Sequence, residues 1–200
     1  MAIYKYLQNA WKLKDEPALK DVWRARLIAW RREPATVRIE RPTRIDRARA
    51  LGYKPKLGII VVRQRVRRGG HERTRTKLHR RPKKMSKTVT LAKNYKLIAE
   101  ERAARAFPNC EVLNSYFVAK DGKYYWFEVI LVDRSHSQII ADKQLGFLAL
   151  PAHRRRVFRG LTAAGKRMRG LRWRGLGAEK LRPSKNQNRK VRKELLRFKI

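Results

Sequence analysis

The sequence predicts an α+β fold: a small, mainly antiparallel sheet packed with helices, with long basic loops and a basic C-terminal extension. Three patterns predict it. Asp121-Gly122 stands between two β-branched and aromatic runs, the signature of a tight hairpin turn. Residues 58–67 alternate as a strand does, and residues 91–107 repeat apolar positions at helical spacing. A strand, then a helix, then a hairpin builds a largely antiparallel sheet with helices against it.

The elements follow in chain order. Ile3, Leu7, Ala10, Trp11 and Lys14 have helical spacing, and Leu19, Val22, Trp23, Leu27 and Trp30 repeat it, so two short helices are expected to meet at Pro17 and end before Pro34. The second carries Lys20, Arg24, Arg31 and Arg32, either as a solvated basic face or as a face toward a polyanion. A β-prone run covers residues 36–40. Residues 41–56 mix turn-formers with cations and have no apolar period, which predicts a surface loop. In the strand from Gly58 to Arg67, Ile60, Val62 and Val66 point one way; Ile59, Val61, Arg63, Arg65 and Arg67 point the other.

Residues 67–88 are expected to form a basic loop, since they offer almost nothing to bury. The helix over Leu91 to Phe107 sets Leu91, Tyr95, Ile98, Ala99, Ala103 and Ala106 on one side, with Lys96, Glu100 and Arg102 elsewhere. Paired strands are expected over residues 111–119 and 124–133. The core is expected to end at Pro151, giving an α+β core over residues 1–150 and a basic extension over 151–200. Glycines at 160, 165, 170, 175 and 177 argue against a long helix in that extension. A last helix is expected after Ser184, where Gln187 completes capping-box spacing before Val191, Leu195 and Phe198.

Charge sets the function class. The 200 residues carry 53 Lys plus Arg against 16 Asp plus Glu, a formal net charge of +37. Self-repulsion on that scale opposes compaction until a polyanion neutralises it. A hydrophobic fraction of 42% still supplies a core. Glu72 is the only acid between Arg47 and Ala99, and none lies between Lys143 and Ala178. The expected nucleic-acid contacts therefore fall in two acid-poor segments and the loop leading into the first of them.

Those contacts are Arg41, Arg44, Arg47, Arg49, Tyr53, Lys54 and Lys56 in the first loop, and Arg63, Arg65, Arg67 and Arg68 along the strand and its end. Gly69, Gly70, His71, Arg73, Arg75, Arg80, Arg81, Lys83 and Lys84 continue them. The tail adds His153, Arg154, Arg155, Arg156, Arg159, Lys166, Arg167, Arg169, Arg172, Trp173 and Arg174. Guanidinium groups grip phosphate in bidentate fashion and stack on bases; Tyr53, Phe158 and Trp173 are the candidate stacking rings. Gly69-Gly70 and Gly160 allow a close backbone approach to phosphate or a turn with positive φ.

Catalysis is poorly supported. The sequence has no phosphate-cradling Gly-x-x-x-x-Gly-Lys-Ser/Thr loop, no Gly-x-Gly-x-x-Gly and no His-Glu-x-x-His. His71 and His79 are joined by no cysteine pair and sit among cations, which opposes a metal ion; no cofactor or small-molecule substrate is expected. Asp133, Ser135, His136 and Ser137 crowd too closely in sequence for triad geometry and read as the turn that ends a strand. Glu128, among apolar neighbours, is expected to pair with a core arginine. Cys110, the one cysteine, is expected to be a buried small hydrophobe. No apolar run approaches the roughly 18 to 20 residues of a membrane span, so a soluble intracellular location is the expectation. On composition alone a basic RNA chaperone remains the alternative to a structural RNA-binding protein.

Several stretches together carry a family resemblance. They are Tyr4-Lys-Tyr-Leu-Gln8 with Trp11, Arg41-Pro-Thr-Arg44 onward to Gly70, Leu113-Asn-Ser-Tyr-Phe-Val118, Phe127-Glu-Val-Ile-Leu-Val-Asp133, and Arg159-Gly-Leu-Thr-Ala-Ala-Gly165 to Leu171. The chain resembles the large-subunit ribosomal protein fifteen-e family of archaea and eukaryotes over about residues 1–183. Gly177-Ala-Glu-Lys-Leu-Arg-Pro-Ser184 resembles the archaeal members, and residues 191–200 depart from the family pattern. The resemblance implies a structural protein of cytoplasmic ribosomes, with large-subunit ribosomal RNA and neighbouring ribosomal proteins as partners, and no catalysis.

Overall fold

The structure is a computed structural model and describes residues 2–13, 17–70 and 93–172. Among these, α1 (Ala2–Lys12) and α2 (Pro17–Arg32) precede β1 (Thr36–Ile39), α3 (Ile45–Ala50) and β2 (Ile59–Arg67). Then come α4 (Tyr95–Ala106), β3 (Cys110–Lys120), β4 (Tyr124–Asp133) and α5 (Ser137–Ile140). Two 3₁₀ turns, Gly146–Ala149 and Pro151–His153, lead to α6 (Ala163–Met168). The strands form an open sheet in the order β1-β2-β4-β3, with every neighbouring pair antiparallel. This is the expected α+β architecture.

The hairpin closes as Asp121-Gly122 requires. The Asp121 N–H donates to the Tyr124 carbonyl at 2.9 Å, and the Asp121 carboxylate accepts from Lys123 N at 2.7 Å and Tyr124 N at 2.5 Å. An aspartate that folds back on the next two amides makes this turn itself.

Helices and the tail cover both faces of the sheet. On one face Val62, Val66, Phe127, Val129 and Leu131 pack against Leu97, Ile98 and Ala103 of α4. On the other, Ile59, Trp126, Ile130 and Val132 pack against Trp30 of α2, Ala48 of α3 and Ile139 of α5. The second face is zipped by tryptophans: Trp11 to Trp23 at 5.1 Å, Trp23 to Trp30 at 6.3 Å and Trp30 to Trp126 at 6.0 Å between ring centroids. Tilted and edge-on contacts of this kind match the ring quadrupoles and add to area burial.

Three expectations change. Residues 41–56 are not wholly a loop, since α3 forms there with Asp46 and Ala48 buried. Its helicity comes from burial against the sheet, which a local apolar count cannot register. The core does not end at Pro151: Val157 and Ala164 join the α4 cluster at 1% and 3% exposure. Within α4, Glu100 is buried while Ala106 is exposed, because the tail crosses that helix and covers Glu100. The helix opens at Asn94, which accepts from Leu97 N at 2.8 Å and donates to the Ala164 carbonyl at 3.0 Å. The same residue caps the helix and ties the tail to it.

Candidate nucleic-acid interface

Two of the expected contact cations are internal. Arg63 is 9% exposed, pairs with Glu33 at 2.5 Å and lies 4.3 Å from the Trp30 ring centroid. It sits beneath α2 because the second face of its strand is covered by helices. Arg156, also 9% exposed, donates to the carbonyls of Val112 at 2.7 Å and Leu113 at 3.2 Å. Both guanidinium groups hold the fold together, so neither is presented to a ligand as the sequence led us to expect.

A second set is partly engaged. Arg44 pairs with Asp46 at 2.9 Å and stacks on Trp11 at 4.7 Å, and Arg49 lies 5.8 Å from the Tyr4 ring. Lys54 and Lys56 converge on Asp142 at 3.4 and 2.9 Å. The Lys56 hydrogen bond, the Gln144 amide and Lys54 hold the Asp142 carboxyl well below the usual carboxylate range. Arg65 donates to the Arg31 carbonyl at 2.5 Å and stacks on Tyr124, while Arg68 donates to the Asp121 carbonyl at 2.6 Å and stacks on Tyr125. Arg159 reaches the carbonyls of Ala152 and Arg154, Arg169 donates to the Gly160 carbonyl at 3.2 Å, and His153 contacts the Phe147 ring. Tyr53 packs on the tryptophan side of the core.

The remaining described cations are exposed: Arg41, Arg47, Arg67, Arg154, Arg155, Lys166, Arg167 and Arg172. They come from distant parts of the chain, and three of them, Arg47, Arg167 and Arg172, act on one lysine. Lys96 on α4 is pushed down by burial, against the pull of Glu100, and is pushed further by Arg47, Arg172 and Arg167. The first loop and the tail thus add their charge at one place beside α4. Like charges held together in water cost stability unless an anion is present, and fixed clusters of this kind raise the local concentration of a polyanion.

The glycines read differently in three dimensions. Gly69 has φ 111, but its N–H donates to the Tyr95 hydroxyl at 3.0 Å and its carbonyl accepts from that hydroxyl at 2.9 Å. Its N–H and carbonyl are therefore both engaged by Tyr95. Gly160, at φ +67, makes a turn against which Gly165 packs. Gly70 is exposed. The expected contacts His71, Arg73, Arg75, Arg80, Arg81, Lys83 and Lys84, together with Trp173, Arg174 and the helix after Ser184, lie outside the described residues.

The carboxylates support the scaffold. Glu128 is buried and accepts from the Tyr116 hydroxyl at 2.5 Å and from Thr43 N at 3.1 and 3.3 Å. That corrects the expected arginine pair, since Arg63, its cross-strand neighbour, turns to Glu33 instead. Burial pushes the Glu128 carboxyl up, opposed by these hydrogen bonds. Glu100 on the other face is likewise pushed up by burial and is held by Ser115 and Thr162, whose hydroxyl lies 2.6 Å away. The His136 ring nitrogen accepts from Gln138 N at 3.3 Å as the cap of α5, and Asp133 accepts from Ser135 N at 3.0 Å. These two side chains shape the turn after β4, as expected.

Cys110 is buried, and burial pushes its thiol up to about 11, with Asp133 adding to the shift. Only the thiolate attacks an alkylating reagent. The native protein at pH 8 is expected to react with iodoacetamide at least about tenfold more slowly than the urea-unfolded chain. Equal rates, followed by mass spectrometry, would show the thiol to be accessible.

No group of three or more metal-ligating side chains occurs among the described residues, and no described helix is long and apolar enough to cross a membrane. Among the described residues, a sheet with both faces covered by helices carries exposed arginines on its outer surface. The sequence matches the family described as Ribosomal L15 over residues 2–188, nearly its whole length, and the chain belongs to that family.

Proposed function

We propose that this chain is a structural constituent of the large subunit of an archaeal-type cytoplasmic ribosome, where it binds folded ribosomal RNA and stabilises it. Membership of the family makes it a structural ribosomal protein with a general role in binding ribosomal RNA, and not a catalyst. The observation that carries the finer reading is that Arg47, Arg167 and Arg172, exposed and far apart in sequence, all push down the same lysine, Lys96. Most contacts would go to phosphate, with shape rather than base sequence being read. Neighbouring ribosomal proteins are the other partners in this reading. By mass action the bound RNA stabilises the folded chain.

Pelleting large subunits through a high-salt cushion and quantifying the chain against one-copy components tests the role. A ratio near one is expected; a ratio near zero, with the chain in the supernatant, would favour a transient RNA chaperone instead. In the purified protein, binding to a ribosomal RNA fragment should weaken linearly on a log–log plot against salt. A mutant lacking Arg47, Arg167 and Arg172 should have a slope shallower by about two to three, since each lost phosphate contact removes roughly 0.7 to 0.9.

A further inference from the structure

Between the C-terminal end of α4 and the start of β3 lies a cleft of about 520 Å³, lined by Arg105, Arg134, Arg154, Arg155, Glu111 and Phe158 among others. Its size falls in the range of roughly 300–1,000 Å³ typical of small-ligand sites. Its charge is unbalanced. The one carboxylate, Glu111, is already committed to the backbone, accepting from Arg155 N at 2.6 Å and Arg156 N at 3.4 Å. Those bonds hold Arg155 at φ 51, the one described non-glycine residue with positive φ. Side-chain residues rarely adopt that conformation, and it persists where surrounding contacts impose it.

Arg134 gives the second observation. One terminal nitrogen donates to the Ala149 carbonyl at 3.3 Å, but its Nε is buried and has no hydrogen-bond partner among the described residues. A buried guanidinium N–H without an acceptor calls for one, and a bound anion at the cleft is one source of it. Phe158 gives the third: it is 44% exposed on the rim of this cationic cleft, with the Arg105 guanidinium carbon 5.8 Å from its ring centroid.

Phosphate oxygens would satisfy the guanidinium groups, and a flat aromatic surface would cover the exposed ring. A nucleotide carries both within one short unit. An acidic peptide would meet the charges and leave Phe158 bare. A base inside a duplex is stacked and paired, so only one turned out of its helix can reach a side-chain ring. We propose that this cleft binds a single unpaired nucleotide of RNA, with its phosphate among Arg134, Arg154 and Arg155 and its base against Phe158. The assignment rests on the RNA-binding reading above and deepens it.

The test uses the full-length protein and two RNA hairpins matched in phosphate number. In one, 2-aminopurine is a single bulged base; in the other it is paired with uridine. End-label anisotropy reads affinity, and 2-aminopurine fluorescence reads stacking. The bulged hairpin should bind about tenfold more tightly and be quenched on binding, the scale expected of one base stacked on an aromatic side chain. Phe158→Leu should abolish both the preference and the quenching while leaving affinity for the paired hairpin unchanged; since the ring is exposed, folding should survive, and near-UV circular dichroism checks that. Arg134→Gln should reduce the preference in the same assay.

Equal affinities, or quenching that persists in Phe158→Leu, would overturn the cleft assignment and leave general RNA binding standing. Failure of both hairpins to bind at moderate salt would overturn both readings. Reversal of the quenching by oligoglutamate, at concentrations that leave the paired hairpin bound, would make the cleft a site for an acidic peptide and overturn the assignment.

Discussion

Replacing Trp126 with alanine is expected to cost roughly 3 to 5 kcal/mol of folding stability, the range for removing a large buried aromatic side chain. Trp126 is 1% exposed and touches Trp30 at 6.0 Å and Tyr124 at 5.9 Å. The loss should exceed the cavity term, because the ring is the floor on which α2 rests. With Trp30 unseated, Arg63 would lose its stacked neighbour, and its ion pair to Glu33 would open toward water.

Urea denaturation at a salt concentration that screens the net positive charge would measure the effect. With a slope of about 1 to 3 kcal/mol per molar, the midpoint should fall by at least about 1 M. Trp23→Ala is the comparison, since that ring is only half-buried and lies between Trp11 and Trp30, away from the sheet, and its loss should be clearly smaller. A loss for Trp126→Ala below about 1 kcal/mol, within the ordinary range of point mutations, would show that α2 does not depend on this contact.

The elements that local pattern reveals are those whose cause is local. Asp121 makes its own turn, whereas the helix expected from Leu91 starts at Tyr95 in the structure, behind the Asn94 cap that the apolar period does not register. The alternation of β2 correctly separated Ile60, Val62 and Val66 from Ile59, Arg63 and Arg65, and each group packs on its own side. Alternation does not say what covers the second side. A strand with cations on one face reads as an edge strand facing water, whereas β2 lies between β1 and β4 with helices above it.

Which cations are exposed was legible in outline and not residue by residue. Arg156 stands in a run with Arg154, Arg155 and Arg159 and looks no different from them in sequence. It alone is buried, because Glu111, 45 residues earlier, draws the backbone of Arg155 and Arg156 onto the sheet edge. Glu100 looked like a surface acid of an amphipathic helix until Thr162, 62 residues later, reached it. Partners that far apart leave no periodic signal. Among the described residues the acid-poor segments supply most of the exposed cations, while acids and backbone carbonyls elsewhere in the chain engage the others.

Gly165→Ala is expected to lift the tail off α4 and cost roughly 1 to 3 kcal/mol or more, the range for forcing extra atoms into a packed core. A Cβ on Gly165 would lie 2.6 Å from the Gly160 Cα and 2.8 Å from its carbonyl carbon, both backbone atoms that no rotamer change can move aside. Gly160 has little freedom to yield: its φ is +67, and its N–H donates to the Val157 carbonyl at 3.0 Å. The strain should therefore be relieved by displacing the segment that carries Thr162 and Ala164. That displacement would withdraw the Thr162 hydroxyl from Glu100 and the Ala164 carbonyl from Asn94. A buried carboxyl already pushed up by burial would lose one of its two hydrogen-bond donors, adding to the steric cost. Limited proteolysis separates this from global unfolding, since cleavage near Lys166 and Arg167 should accelerate while the hairpin, residues 110–133, stays protected. Unchanged cleavage with an unchanged melting temperature would mean that the backbones at 160 and 165 part without cost. The same variant should bind RNA more weakly, because Arg167 and Arg172 would leave the cluster around Lys96, and the tail's contacts depend on where this glycine crossing places them.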